Sequence, residues 1–554
     1  MHIGGPMDAL LIESAPGIAQ RFRPDGSTVK YLLKLAAQPE TTTRRLRTYV
    51  RELGQIVAGE SRIEPDPRDR RFGDQAWRTN PMLRRILQAH LATRDTSLDL
   101  IALADLDWRD ETRVRFLVGT LLDALAPSNV PLVNPISARV ALDYGGLSLL
   151  QGARNFFADM RSAPRLPTMV DPEGFELGRT LAATPGAVVY RSEVFELLQY
   201  HPVTETVQAT PLLLVPPTIN KYYITDLAPD RSMVEYLVAA GQQPFVMSWR
   251  NPEAEHARWG LATYVCAVLE AMSAIERITG TEQVLLSGAC SGGVLAACAA
   301  ALLARRGESG RVAGFSMMVT VLDNTRAGAP AAFADRPAAE AAKALSRRTG
   351  YLDGRLLAEG FAWLRPNDLI WSFWVNNYLC GNKPPKFDIL YWNSDTTRMP
   401  AQLHADFIDV AMHNALSRPG GLAIDGEPID IGAVEADAYV LAAISDHITP
   451  WENCYRSARL LGGDTRFVLS RSGHIAALVN PPGNPKSKYL VHNENPAAPE
   501  QWLAEAQTRE GSWWPDWLAW LSDRAGPRVP APGRLGGGGL EPLADAPGGY
   551  VHTR

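Results

Sequence analysis

At 554 residues the chain is too long for one compact core, so two or three folding units are expected. Its 46% hydrophobic and 21% charged content excludes wholesale disorder, and a formal net charge of −5 gives no global attraction to nucleic acid. Five widely spaced cysteines (266, 290, 298, 380 and 454), with no C-x-x-C pair, supply neither a disulfide framework nor a zinc ligand set. They suit a reducing compartment.

The start, Met1-His-Ile-Gly-Gly-Pro-Met-Asp8, lacks the basic residues and apolar run of a secretory signal, so a cytoplasmic protein is expected. Residues 1–70 are polar and irregular, interrupted by Pro24, Pro39, Pro65 and Pro67, and read as a variable, flexible segment. The basic clusters at Arg44–Arg51 and Arg68–Arg71 are mixed with acids or polar residues and read as solvated surface. From Trp77 to Arg161 apolar residues recur at three and four, the amphipathic-helix signature. Pro127, Pro131 and Asn134-Pro135 punctuate these helices, which predicts a helical domain over 71–180.

The pattern then changes to short apolar runs. Ala187–Tyr190 and Phe195–Tyr200 read as a hairpin. Pro211–Pro217, Pro244–Trp249, Gln283–Ser287, Gly314–Thr320, Ala438–Ala443 and Arg466–Ser470 follow, mostly separated by helical stretches. That is the signature of a buried parallel sheet, predicted over 181–323 and 436–524. Residues 324–435 break the rhythm with a helix-like, aromatic-rich insertion, which reads as a cap over an active site or, equally from pattern, as the aromatic core of an extra helical subdomain. Residues 525–554, with Gly536–Gly539 and several prolines, read as a flexible tail.

The chemistry centres on Leu286-Ser-Gly-Ala-Cys-Ser-Gly-Gly293. Val284 to Ala304 runs 21 residues without a charge, long enough for a membrane span. Small residues cluster inside it, however, and helix formers crowd only after them, so strand, sharp turn and helix fit better. Gly288-Ala-Cys-Ser-Gly292 has the form G-x-nucleophile-x-G in that context, a nucleophile elbow. The turn aims the nucleophile out of the sheet and demands small neighbours. The helix N-terminus favours a thiolate on Cys290 and offers the Ser291 N–H to a developing oxyanion. A shifted register would make Ser291 the nucleophile, but glycine on both flanks favours Cys290. The other four cysteines read as inert thiols.

A thiol nucleophile needs a base and an orienting acid. Among ten histidines, His474 lies just past the last apolar strand, and Asp446 just past the one before it. The order Cys290…Asp446…His474 is that of nucleophile, acid and base in the α/β-hydrolase fold. His447 is a rival base, one strand too early. The predicted architecture is therefore an α/β-hydrolase core with an inserted cap and an N-terminal helical domain.

Beyond these residues, Val215-Pro-Pro-Thr-Ile-Asn-Lys-Tyr-Tyr-Ile-Thr-Asp-Leu227, Ser248-Trp-Arg-Asn-Pro252, Arg365–Trp371, Trp392-Asn-Ser-Asp-Thr-Thr-Arg398, Asp446–Trp451 and Ser472-Gly-His-Ile475 closely resemble polyhydroxyalkanoate synthases. The resemblance runs from about Arg71 to Tyr550-Val-His552, and is greatest to the single-subunit class of pseudomonads that favours medium-chain monomers. It implies polymerisation of (R)-3-hydroxyacyl-CoA to polyester with release of CoA, Cys290 carrying the acyl or growing chain as a thioester. His474 would deprotonate the thiol and activate the incoming 3-hydroxyl, and Asp446 would orient His474 or assist that hydroxyl. A second oxyanion donor would be the backbone N–H near Ile219. Asp226 and Trp392 fall in the same motifs, where structural roles are at least as plausible. The resemblance further implies a homodimer at the surface of cytoplasmic storage granules, with phasin-type granule proteins as partners. No cofactor, metal, nucleic acid or transmembrane segment is expected. A thioesterase or lipase on the same fold, or a non-catalytic scaffold coating granules, are the competing readings.

Overall fold

The computed structural model describes residues 11, 12, 14, 24–161, 164–325 and 335–554. The chain divides into two compact units, one of Pro16–Asp171 with Arg355–Lys386, the other of Met1–Ala15, Pro172–Gly354 and Phe387–Arg554.

The first unit is helical. Its N-terminal helices are α1 (Gly26–Ala36), α2 (Pro39–Ala58), α3 (Pro81–Leu103), α4 (Trp108–Ala124), α5 (Pro135–Asp143) and α6 (Leu147–Met160). The starts are written in the sequence: Asn80 Oδ1 accepts from Met82 N and Leu83 N, Asn134 Oδ1 from Ile136 N and Ser137 N, with proline next in both cases. Phe72, Trp77, Leu87, Leu91 and Ala126 form its core. Two expectations change here. Residues 24–70 are not irregular, since α1 and α2 fill most of them; the rest of the expected flexible segment lies outside the described residues. Residues 355–386, expected in the cap, belong to this helical unit instead. Phe156 of α6 meets Trp374 and Tyr378 edge to face, and a Cβ on Gly152 would come 1.8 Å from Tyr378 O. Backbone contact that close is available only to glycine.

The second unit holds an eleven-stranded sheet. In chain order the strands are β1 (Gly186–Arg191), β2 (Phe195–Tyr200), β3 (Leu212–Val215), β4 (Pro244–Trp249), β5 (Val284–Ala289), β6 (Val312–Met318), β7 (Ala438–Ala443), β8 (Thr465–Ser470), β9 (Lys488–Val491), β10 (Gln507–Glu510) and β11 (Ala544–Asp545). Their spatial order is β10-β9-β8-β7-β6-β5-β3-β4-β2-β1-β11. The six from β8 to β4 are parallel, with antiparallel strands on either side. The predicted apolar runs are these central strands, and β3, β4, β5 and β7 are buried along their whole length, as two covered faces require. Helices α7 (Leu261–Thr279), α8 (Ser291–Arg305), α9 (Arg336–Thr349), α10 (Ala401–Met412) and α11 (Trp451–Ala458) belong to the same unit. Residues 387–435 of the expected cap thus go with the sheet, while 326–334 lie outside the described residues.

The tail is the third correction. Residues 525–554 are not loose: Arg528–Pro530 pairs with Thr206–Gln208, and β11 extends the sheet beside β1. Gly549 N and Tyr550 N each donate to the buried Glu196 carboxylate at 2.9 Å, and Lys221 Nζ donates to Thr553 O at 2.5 Å. Glycine and proline content signals turns, and main-chain pairing supplies the order that composition does not reveal.

Candidate active site

The elbow forms where β5 ends at Ala289 and α8 begins at Ser291. Cys290 between them has φ +52° and ψ −122°, a conformation costing a non-glycine residue about 1–3 kcal/mol. The surroundings hold it there. Cys290 N donates to Met318 O at 2.9 Å, and Cys290 O accepts from Gly293 N at 3.0 Å with Thr320 Oγ1 3.2 Å away. The flanking glycines are required by space. A Cβ on Gly288 would stand 2.6 Å from Gly292 O, one on Gly292 2.3 Å from Val215 O and Pro216 O, and one on Gly293 2.0 Å from Thr320 Oγ1.

Asp446, in the turn after β7, is buried and accepts from four groups. His474 Nδ1 lies 2.6 Å from Oδ2 and Thr449 Oγ1 2.7 Å from it, while Ile448 N and Thr449 N reach Oδ1 at 2.8 and 2.9 Å. Burial alone would raise this carboxyl, but the His474 charge and these hydrogen bonds outweigh it and hold it below the ordinary carboxylate range. His474 follows β8. Burial pulls its imidazole down, yet Asp446 and the Cys290 thiol beside it prevail and raise it to about 10. An Nδ1–H aimed at a carboxylate leaves the other ring nitrogen to exchange a proton with Cys290.

Cys290, Asp446 and His474 are therefore brought together. His447 stays half-buried in the Asp446 turn. Ser291 does not serve as a free hydroxyl, because its Oγ accepts from Thr218 N at 2.9 Å and meets Thr218 Oγ1 at 3.1 Å. Its backbone N–H, at the first position of α8, points out of the helix end, and Ile219 lines the same cavity as Cys290 and Ser291. That cavity, about 50 Å³, is otherwise mostly apolar: Leu11, Val294, Val321, Met399, Phe407 and Ile448 contribute. Small-molecule sites run to roughly 300–1,000 Å³, so an acyl chain enters only if the walls give way. Asp226 and Trp392 have structural contacts. Asp226 is buried and accepts from Thr184 and Ser232, and Trp392 Nε1 donates to Lys221 O at 2.7 Å. Burial pushes the Cys298 and Cys266 thiols up to about 12 and about 11, Asp425 adding to the second. Among the described residues no cluster of His, Cys, Asp and Glu could hold a metal, and no helix is long and apolar enough to cross a membrane.

Two participants escaped the sequence reading. Thr449 was hidden in Asp446-His-Ile-Thr449, although an Asp followed three residues on by Thr is the spacing of a side-chain–capped turn. Leu11 gave no signal at all. Its carbonyl accepts from His404 Nε2 at 2.9 Å, and its side chain reaches the nucleophile's cavity from 279 positions away in the chain, a distance no local pattern encodes.

A family model described as the N-terminus of poly-beta-hydroxybutyrate polymerase matches residues 68–237, and one for the alpha/beta hydrolase fold matches 211–481. The chain is 46% identical to poly(3-hydroxyalkanoate) polymerase 2 of Ectopseudomonas oleovorans, covering 93% of this chain and 92% of that one. Polymerase 1 of the same organism is 44% identical, covering 95% and 94%, and the polymerase subunit of Cupriavidus necator 39%, covering 90% and 85%. Among solved structures, an esterase from Thermogutta terrifontis is similar at 14% identity and a TM-score of 0.30, over 53% of this chain and 92% of that one.

Proposed function

This chain belongs to the poly(3-hydroxyalkanoate) polymerase family, an acyltransferase family, and on that premise we propose that it polymerises (R)-3-hydroxyacyl-CoA, with medium-chain acyl groups preferred. Cys290 Sγ, its proton already passed to His474, attacks the thioester carbonyl. The carbonyl oxygen becomes an oxyanion facing the Ser291 and Ile219 N–H groups. Collapse expels CoA as the thiol and leaves the acyl group on Cys290 as a thioester. The 3-hydroxyl of a second acyl unit, deprotonated by His474, then attacks that thioester. An ester bond forms, the Cys290–acyl bond breaks, and the Cys290 thiol is restored. Asp446 keeps His474 oriented and stabilises its charge in both halves. CoA arrives with the substrate and leaves as product, so the cycle uses no cofactor.

The observation that carries this reading is Cys290 on a strained strand-to-helix turn, sharing His474 with an Asp446 carboxylate 2.6 Å away. The apolar cavity supports it further, since a water-poor site favours a hydroxyacyl acceptor over hydrolysis. The same reading makes the protein a homodimer at the surface of cytoplasmic polyester granules, in company with phasin-type proteins. Purified protein given (R)-3-hydroxydecanoyl-CoA is expected to release CoA and deposit insoluble polyester, and Cys290→Ala to do neither. CoA release with only free hydroxy acid would refute the polymerase reading.

A further inference from the structure

The loop leaving β3, from Val215 to Lys221, is gripped carbonyl by carbonyl. Trp249 Nε1 donates to Pro216 O at 3.0 Å, Thr397 Oγ1 to Thr218 O at 3.1 Å and Trp392 Nε1 to Lys221 O at 2.7 Å. From the other side Thr218 N donates to Ser291 Oγ, in the turn of the nucleophile. The middle grip matters most. The Thr218–Ile219 peptide is trans, so its C=O and N–H point in opposite directions. With the carbonyl aimed at the buried Thr397 hydroxyl, the Ile219 N–H faces the other way. Ile219 lines the Cys290 cavity and Thr397 does not.

We infer that Thr397 is a positioning residue for acyl transfer: its hydroxyl, by holding the Thr218 carbonyl, keeps the Ile219 N–H turned toward the oxyanion. This rests on the reading of Ile219 as an oxyanion donor. Thr397 is itself closely enclosed. It is 4% exposed, a Cβ on Gly354 would meet its carbonyl at 2.2 Å, and the next residue donates its N–H to Asn251 Oδ1 at 2.8 Å. Without the hydroxyl, the Thr218 carbonyl loses its donor in a buried place and the peptide is free to rotate toward another. The oxyanion then faces a carbonyl oxygen or nothing.

The test compares Thr397→Val, which keeps the shape and removes the donor, with Thr397→Ser, which keeps the donor. Removing one oxyanion donor costs about 10²–10³ in kcat, so loosening one is expected to cost Thr397→Val about ten- to a hundredfold in CoA release from (R)-3-hydroxydecanoyl-CoA. KM is expected within about twofold and Thr397→Ser within about threefold of the parent, because the loss belongs to the transition state alone. S-(3-hydroxydecyl)-CoA, a thioether with no carbonyl to become an oxyanion, is expected to bind all three proteins alike. Should Thr397→Val not fold, Thr397→Ala makes no steric demand and is read the same way. Unchanged kcat in the variant without a hydroxyl, or equal losses in Thr397→Ser, would overturn the inference. A parent protein that releases CoA without making polymer would instead sink the polymerase reading. The Thr397 comparison survives that outcome, since an oxyanion forms whichever acceptor takes the acyl group.

Discussion

The pairing of His474 with Asp446 ties the chemistry to pH. The raised imidazole stabilises the fold fully below its unfolded value near 6.5, and that contribution is lost between there and about 10, where the folded form also deprotonates. The depressed Asp446 carboxyl acts at the other end: its contribution is present above the ordinary value of 3.8 and is lost as pH falls through the lower folded one. Thermal melts of the parent and His474→Gln from pH 6 to 10 check the first sign. The parent's melting temperature is expected to fall more steeply across that range, and parallel curves would refute it. At this scale the reading of single residues was uneven. Cys290 was legible because a nucleophile elbow confines its small neighbours to four adjacent positions. Asp446 and His474 were legible because each follows a strand by a few residues. Thr449 carried only the spacing of a capped turn and Thr397 no signal, for a hydroxyl reaching a distant carbonyl says nothing of its partner until the chain has folded.

At the scale of elements, the strand–turn–helix from β5 to α8 depends on absent side chains. Gly292 lets α8 approach the backbone that leaves β3, and that approach sets Ser291 against Thr218. Gly292→Ala must push two carbonyl oxygens aside. It is expected to cost about 1–3 kcal/mol by urea midpoint, as overpacking does, and to lower CoA release severely even where the protein remains folded. A variant with parental stability and activity would show that the elbow tolerates the extra carbon. The buried strands were read from sequence almost residue for residue, since a run of four to seven apolar residues covered on both faces has few other uses. The helix starts at Asn80-Pro81 and Asn134-Pro135 were equally local signals.

Across the whole molecule, distant pieces of chain complete one unit. Glu196 on β2 is buried and receives two N–H groups from residues 549 and 550, and Lys221, pulled down to about 8 by burial, donates to Thr553 O. Removing Gly549–Arg554 leaves these groups short of partners, each at about 1–3 kcal/mol. The shortened protein is expected to melt several degrees lower and to lose activity, because Lys221 ends the loop that carries Ile219. Unaltered melting would show that water replaces the tail at no cost.

By itself the sequence determined the elbow and the apolar runs of the parallel sheet, each a pattern of fewer than ten residues, and the chain order of the candidate nucleophile, acid and base. Only the tertiary structure decided that residues 355–386 pack with the N-terminal helices, that Leu11 reaches the Cys290 cavity, and that residues 525–554 are tied to β1, β2 and Lys221. The reason is physical. Local sequence sets backbone conformation and which face is apolar, but many surfaces could cover a given apolar face. The choice among them comes from close fits such as Gly152 against Tyr378, which exist only once both partners are in place.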